Sequence, residues 1–290
     1  METVCLLGLF VIAAMGGLEQ SCAASASINL APHRAVYNFT LDQKYAGARF
    51  SELAGRYVYE LTGNRCAGYH MRIRFVTRRV SVAGEVTLSD LRMQTWENGI
   101  GTDLRFNTEF YSNQRLTIEG EGQAKRTGVA APTNVSMVKP NKRKIRLTRG
   151  VLFPVQHSLK LLAAAEEGQR IFTSDLYDVA ERDTKVYRTT AILGKKREPG
   201  ANASLERALN DDVLDKVAAW PVAISYFDPD APIGDAVPKY ESSFWFFENG
   251  ISRRIVFDYG AYAIRGRLMR LEMLKEQSCE RQPATEGNSN

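Results

Sequence analysis

The sequence predicts a mainly β protein built on one large antiparallel sheet, with one or two short helices. Three observations carry this expectation. Apolar and polar residues alternate with period two through most of the chain, the pattern of strands with one wet and one buried side. Short clusters of Asn and Gly separate the alternating runs at hairpin spacing. No composition shift or linker divides the 290 residues, and 44% of them are apolar, enough for one sizeable core.

Taken in chain order, the first segment is read as an address. Leu6 to Leu18 form an apolar run of thirteen residues, too short to cross a bilayer but the right length for the core of a signal peptide. Ala24-Ser25-Ala26 then offers the small residues a signal peptidase accepts. A basic residue before the apolar run is missing, and a buried N-terminal strand or helix is the alternative. Residues 1–26 are therefore expected to be cleaved and the mature chain to reside in the periplasm. No later stretch approaches a membrane span.

Strands follow. Ala35, Tyr37, Phe39 and Leu41 share a face, as do Met71, Ile73 and Phe75, then Leu104, Phe106 and Phe110, then Leu116 and Ile118. Ile145 with Leu147, and Ile251, Ile255, Phe257 and Tyr259, repeat the pattern. Glu97-Asn98-Gly99, Ser112-Asn113, Glu248-Asn249-Gly250 and Tyr259-Gly260 are read as hairpin links. In the last strand the apolar parity switches near Leu268, where Met269, Leu271 and Met273 take over the apolar face, which predicts a bulge.

Two helices interrupt the series. Pro154 suits a first helical turn, Val155, Leu159, Leu162 and Ala163 line one face, and Gly168 ends the helix after about Glu166. A second helix is expected from Ser204 to Ala218, with Leu205, Leu209, Val213 and Val217 together and Pro221 stopping it. The polar tail 282–290 is expected to be disordered, leaving 27–281 as a single domain.

Chemistry is sparse. His33, His70 and His157 are far apart and lack spaced partners. No nucleophile elbow, zinc-protease pattern or phosphate loop occurs, so neither catalytic nor metal residues are assigned and no cofactor is expected. Asp228-Pro229-Asp230 with Gly234 and Asp235 does not match a calcium loop and reads as a rigid turn. After leader removal Cys66 and Cys279 are the remaining thiols. In an oxidising compartment they read as one disulfide closing most of the chain, with two unpaired thiols as the alternative. The net charge of +5 suits an anionic envelope and does not argue for nucleic acid. The basic run containing Lys142, Arg143 and Lys144 is a candidate for contact with an anionic surface, although alternation with Ile145 and Leu147 also makes it a wet strand face. Phe244, Trp245, Phe246 and Phe247 put many aromatics near the interior, which either fill a barrel or leave a dry cavity suited to an acyl chain.

Several segments together resemble the cell envelope integrity protein EipB family of the bacterial periplasm. They are Ala31-Pro32-His33-Arg34-Ala35-Val36-Tyr37, Tyr59 to Cys66 with Gly68-Tyr69, Phe153-Pro154 with His157, Trp220-Pro221-Val222 with Ser225-Tyr226-Phe227, and the late Cys279. Their order covers nearly the whole mature chain. The resemblance implies a broken, spiral-like β-barrel with a helix against its interior, a disulfide between Cys66 and Cys279, and a shape similar to the lipoprotein carriers LolA and LolB. It further implies envelope maintenance, a functional link to a periplasmic tetratricopeptide-repeat protein, and no agreed enzymatic activity. The chain departs from the family pattern at Asp175-Leu176-Tyr177-Asp178-Val179, where a glycine is expected after the aspartate.

The combined reading is an open barrel or β-spiral of about 14 strands with one or two short helices. It is expected to support the envelope by binding a lipid, a lipoprotein or a partner protein, without catalysis. The candidate cavity residues are Val155, Leu159, Leu162, Trp220, Tyr226 and Trp245. A non-catalytic interaction module is the alternative, and a hydrolase of envelope polymers, which needs paired carboxylates in one cleft, is the third reading.

Overall fold

The computed structural model describes residues 28–45, 49–180, 185–201, 208, 212–230 and 236–279. The predicted signal peptide and tail, Gly234 and Asp235 lie outside them. Within the described residues the chain forms a single 14-stranded antiparallel sheet and one α-helix. The strands are β1 (His33–Leu41), β2 (Phe50–Asn64), β3 (Gly68–Ser81), β4 (Val86–Glu97), β5 (Asp103–Ser112), β6 (Arg115–Lys125), β7 (Pro132–Lys139) and β8 (Arg143–Arg149). After the helix α1 (Pro154–Glu166) come β9 (Ile171–Asp178), β10 (Lys185–Leu193), β11 (Ala219–Phe227), β12 (Tyr240–Phe247), β13 (Ser252–Asp258) and β14 (Ala263–Met273).

The spatial order is β8 through β1, then β14 down to β9. Each strand thus pairs with its sequence neighbours, except that β1 pairs with β14 and β8 does not pair with β9. The arrangement is an up-and-down meander whose two ends in sequence meet at the middle of the sheet. The break falls in mid-chain and is spanned by the segment carrying α1. The sheet curls so that its arms face one another: the Phe106 ring of β5 meets the Tyr177 ring of β9 edge-on at 6.0 Å, and the Thr108 hydroxyl donates to the Val179 carbonyl at 2.6 Å.

The four expected hairpin links all join consecutive strands, and Asn113 (φ 48°) and Gly250 (φ 84°) take the left-handed backbone such turns need. The expected bulge is present. Tyr37 pairs with Leu268 and Val36 with Arg270, so Met269 is the extra residue. Beyond it Leu271 is buried, but Met269 and Met273 face solvent, unlike the expectation.

Helix α1 has the expected bounds, with Gly168 at φ 75° beyond its end. Its buried face is rotated from the expected one. Gln156, His157, Leu161, Ala164 and Ala165 are buried with Val155 and Leu162, whereas Leu159 and Ala163 are only half-buried. The cause is polar: Gln156 and His157 are satisfied inside the protein, so hydrophobicity does not mark them. Of the expected second helix, residues 204–207 and 209–211 lie outside the described residues. Its described end is a short 3-10 turn (Asp212–Lys216) followed directly by β11, and the buried side chain there is Leu214, not Val213 or Val217.

The β1–β14 junction shows how the sheet stays continuous. Phe39 is paired with Gly55 on one side and Gly266 on the other. A Cβ on Gly266 would lie 2.3 Å from Phe39 Cζ, so the missing side chain gives the ring its place, where it also stacks on Phe257 at 5.4 Å. The end of the chain is tied back beside this junction. Cys66 and Cys279 form a disulfide with Cα atoms 5.7 Å apart, and Asn64 Nδ2 donates to the Gln277 carbonyl at 2.5 Å.

Candidate functional site: an apolar cavity under the helix

Alternate residues of the central strands point inward, yet several are only half-buried. Tyr57, Tyr59, Ile73, Phe75 and Phe244 are examples. They are in mid-sheet, so what they face is space. That space is a cavity of about 760 Å³ bounded by the sheet and by Val155, His157, Ser158 and Leu161 of α1. Native interiors pack without voids of this size, and the volume falls within the range of ligand pockets, roughly 300–1,000 Å³. A separate, more polar groove of about 450 Å³ crosses the outer face of β3–β7 between Arg72, Gln94, Trp96, Arg105 and Gln123.

The cavity walls are nearly free of charge. Among the described wall residues there is no Lys or Arg, and Asp178 is the one carboxylate. Burial lowers the pKa of both wall histidines, that of His157 to about 4, so both are neutral at neutral pH. His33 Nδ1 donates to the Ala31 carbonyl at 2.7 Å, and its ring stacks on Tyr59. His157 Nε2 lies 3.3 Å from Thr189 Oγ1, whose hydroxyl donates to the Ser174 carbonyl at 2.8 Å.

Tyrosines supply the polar handles. Tyr37 and Tyr57 are directly opposed across β1 and β2, with Tyr59 two residues on along the same face. The Tyr37 hydroxyl donates to the Ser252 carbonyl at 2.6 Å, and that of Tyr226 lies 3.4 Å from Ser242 Oγ. The hydroxyls of Tyr57 and Tyr59 have no hydrogen-bond partner among the described residues. Burial holds both phenols far above their usual pKa and pushes Tyr226 up to about 12.

One end of the cavity is locked by a polar clasp. The helix N-cap residue, Phe153, offers no side-chain acceptor. Glu97, at the end of β4 and fully buried, serves instead: Val155 N donates to its Oε2 at 2.8 Å and Gln156 N to its Oε1 at 3.0 Å. Desolvation pushes the Glu97 carboxyl up to about 8, against the two N–H bonds and the Arg126 charge, which pull it down. Buried Arg126 donates from Nε to the Gly101 carbonyl at 2.7 Å and from Nη1 to that of Val151, and its guanidinium lies 4.3 Å from the Phe153 ring centroid. Glu97 carries an inspectable signal: it continues the inward parity of Leu91, Met93 and Thr95, where a carboxylate is out of place.

The residues singled out from sequence divide as follows. Val155 and Tyr226 line the cavity. Leu159, Leu162, Trp220 and Trp245 are not among its walls. Leu162 and Trp220 are buried in the packed core, Leu159 packs half-buried against it, and Trp245 lies between the guanidinium groups of Arg197 and Arg254. Lys142, Arg143 and Lys144 are exposed on the β7–β8 hairpin and the edge strand β8. The carboxylate pair required by a hydrolase is not assembled in the described walls, and no described group of three or more His, Cys, Asp or Glu could hold a metal ion. No helix among the described residues is long and apolar enough to cross a membrane.

A family model described as EipB-like matches residues 24–275. The chain is 34% identical over 258 residues to the Cell envelope integrity protein EipB of Brucella abortus, covering 89% of each chain. It is also similar to the crystal structure of a beta-barrel-like protein of a domain of unknown function from Brucella abortus, with a TM-score of 0.74 and 32% identity over 86% of this chain and 100% of that one.

Proposed function

The chain belongs to the EipB-like family, and from that premise we propose that it supports cell envelope integrity in the periplasm by holding the acyl chain of a lipid or lipoprotein. One observation carries the reading: an unfilled, largely apolar cavity of about 760 Å³ in the centre of the sheet. Roughly 25 cal/mol is gained per Å² of apolar surface removed from water, so an alkyl chain moving from water into such a space is strongly favoured. The protein contributes shape and dryness, not bond-breaking. Mass spectrometry under native conditions, on protein purified from periplasm without detergent, tests this. A bound species released on denaturation and bearing an acyl chain is expected. Ligand-free protein that also fails to bind a neutral naphthylamine probe overturns it.

A second reading, an interaction module, is favoured by a different observation. Edge strand β8 exposes Arg143, Lys144, Arg146 and Arg149, and Lys142 precedes it. An anionic membrane surface or a partner such as a tetratricopeptide-repeat protein would engage there. Reversing Lys142, Arg143 and Lys144 to Glu should then abolish partner binding while leaving probe binding in the cavity unchanged.

A further inference from the structure

We infer that the cavity selects an uncharged acyl compound, one whose chain is joined through an ester or amide, and that the hydroxyls of Tyr57 and Tyr59 receive its carbonyl. The inference rests on the acyl-binding reading and sharpens it. Two facts point the same way. First, the described walls hold no Lys or Arg and carry one carboxylate, Asp178. A free fatty acid or an anionic head group drawn inside would leave water with no cation to meet it. Burying an ion without a partner is strongly unfavourable. Second, the walls are not wholly apolar. Tyr57 and Tyr59 each present a hydroxyl with no hydrogen-bond partner among the described residues, and neither is sealed in the way an orphaned core atom would be.

Tyr57 and Tyr59 stand on the same face of β2. Residues two apart on one strand share a face at roughly 7 Å. The opposed Tyr37 and Tyr57 rings have centroids 5.9 Å apart, and the Tyr57 phenol also feels those of Tyr59 and Tyr226. Tyr37 and Tyr226 already have hydrogen-bond contacts, to Ser252 and Ser242, which leaves Tyr57 and Tyr59 as donors for a guest. A carbonyl oxygen has two lone pairs and no proton to give, so it can accept from both at once. A bare hydrocarbon in the same space would leave both donors without an acceptor. The preference is therefore for ester or amide over alkene, and for either over carboxylate.

The test is competition against a bound neutral naphthylamine probe by a series sharing one chain: monooleoylglycerol, oleamide, oleate, oleylamine and the matching alkene, all below their micelle concentrations. Monooleoylglycerol and oleamide are expected to displace the probe at least about tenfold better than oleate or the alkene. In the Tyr57→Phe/Tyr59→Phe variant the ester should fall to within about threefold of the alkene, the rings being retained and only hydroxyls lost. The wild-type series stands by itself if that variant does not fold. Displacement by every compound alike, oleate included, overturns this inference while leaving acyl binding intact. So does oleylamine outcompeting the ester, or an ester preference that survives in the double Phe variant. Displacement by none defeats the acyl-binding reading itself.

Discussion

The sheet is joined at two places, by two different means. At its middle, β1 and β14 make nine residue pairs, and the disulfide ties the Cys66 turn to the last described residue. At the break, β8 and β9 do not pair. Leu152 alone bridges to β9, its N–H donating to Asp175 and its carbonyl accepting from Tyr177. What holds that side is side-chain chemistry: Glu97 capping α1, with Arg126 gripping the Gly101 and Val151 carbonyls. Backbone pairing makes a tight wall at the first junction. At the second, a helix replaces a strand, and the space beneath it is the cavity. The site exists because the barrel does not close by hydrogen bonding.

The largest effect is expected at the first junction. The linkage spans 213 residues, and removing it should cost about 2–5 kcal/mol, mainly through the added freedom of the unfolded chain. Cys66→Ser should therefore unfold at lower denaturant than the oxidised wild type and match the reduced protein. Equal midpoints for oxidised and reduced wild type would show that pairing of β1 with β14 is enough. Next comes the clasp. Glu97→Ala strands two buried helix N–H groups and should cost about 2–4 kcal/mol, while Glu97→Gln keeps one acceptor and should cost about 1. Equal losses for the two variants in urea denaturation would mean that packing, not capping, holds the helix.

That contrast also explains what the sequence could reveal. Alternation identified β1, β3, β5, β6, β8, β13 and β14, four hairpin links and the bulge, because each depends on neighbours in sequence. It also placed Tyr37 and Tyr226 on inward faces, but on β12 it chose Trp245 for the cavity, whereas Phe244 and Phe246, of the opposite parity, line it. It could not say which inward residues are covered. Trp220 and Tyr226 belong to one strand, yet Trp220 is packed and Tyr226 lines the cavity. That outcome depends on where α1 lies, and α1 is positioned by Glu97, 58 residues upstream of Val155. The helix face was misjudged for a related reason. Gln156 and His157 are buried because Gly99 and Thr189 satisfy them, partners that no local pattern contains. The pairing of Cys66 with Cys279, by contrast, needed only a count of the thiols outside the expected leader.

The smallest effect separates the junctions by pH. Glu97 has its pKa raised from 4.5 to about 8, so between those values the folded state binds more protons than the unfolded one. Stability contributed by this group is full below pH 4.5 and is lost as pH rises toward 8, with a slope of at most about 1.4 kcal/mol per unit. His157, lowered from 6.5 to about 4, acts in the opposite sense: it favours the unfolded state as pH falls below 6.5. Buried His33 acts in the same direction as His157. The opposing slopes offset one another below pH 6.5, and above it Glu97 acts alone. Wild-type stability should thus peak near pH 6.5 and fall by about 2 kcal/mol toward pH 8. Glu97→Gln should be flat over that upper range, whereas Cys66→Ser should keep the wild-type slope on a lower baseline. Urea denaturation at several pH values distinguishes them, because the group that titrates between pH 6.5 and 8, Glu97, belongs to the helix-bridged junction, whereas His33 beside β14 titrates below that range. A slope that persists in Glu97→Gln would place its origin outside the clasp.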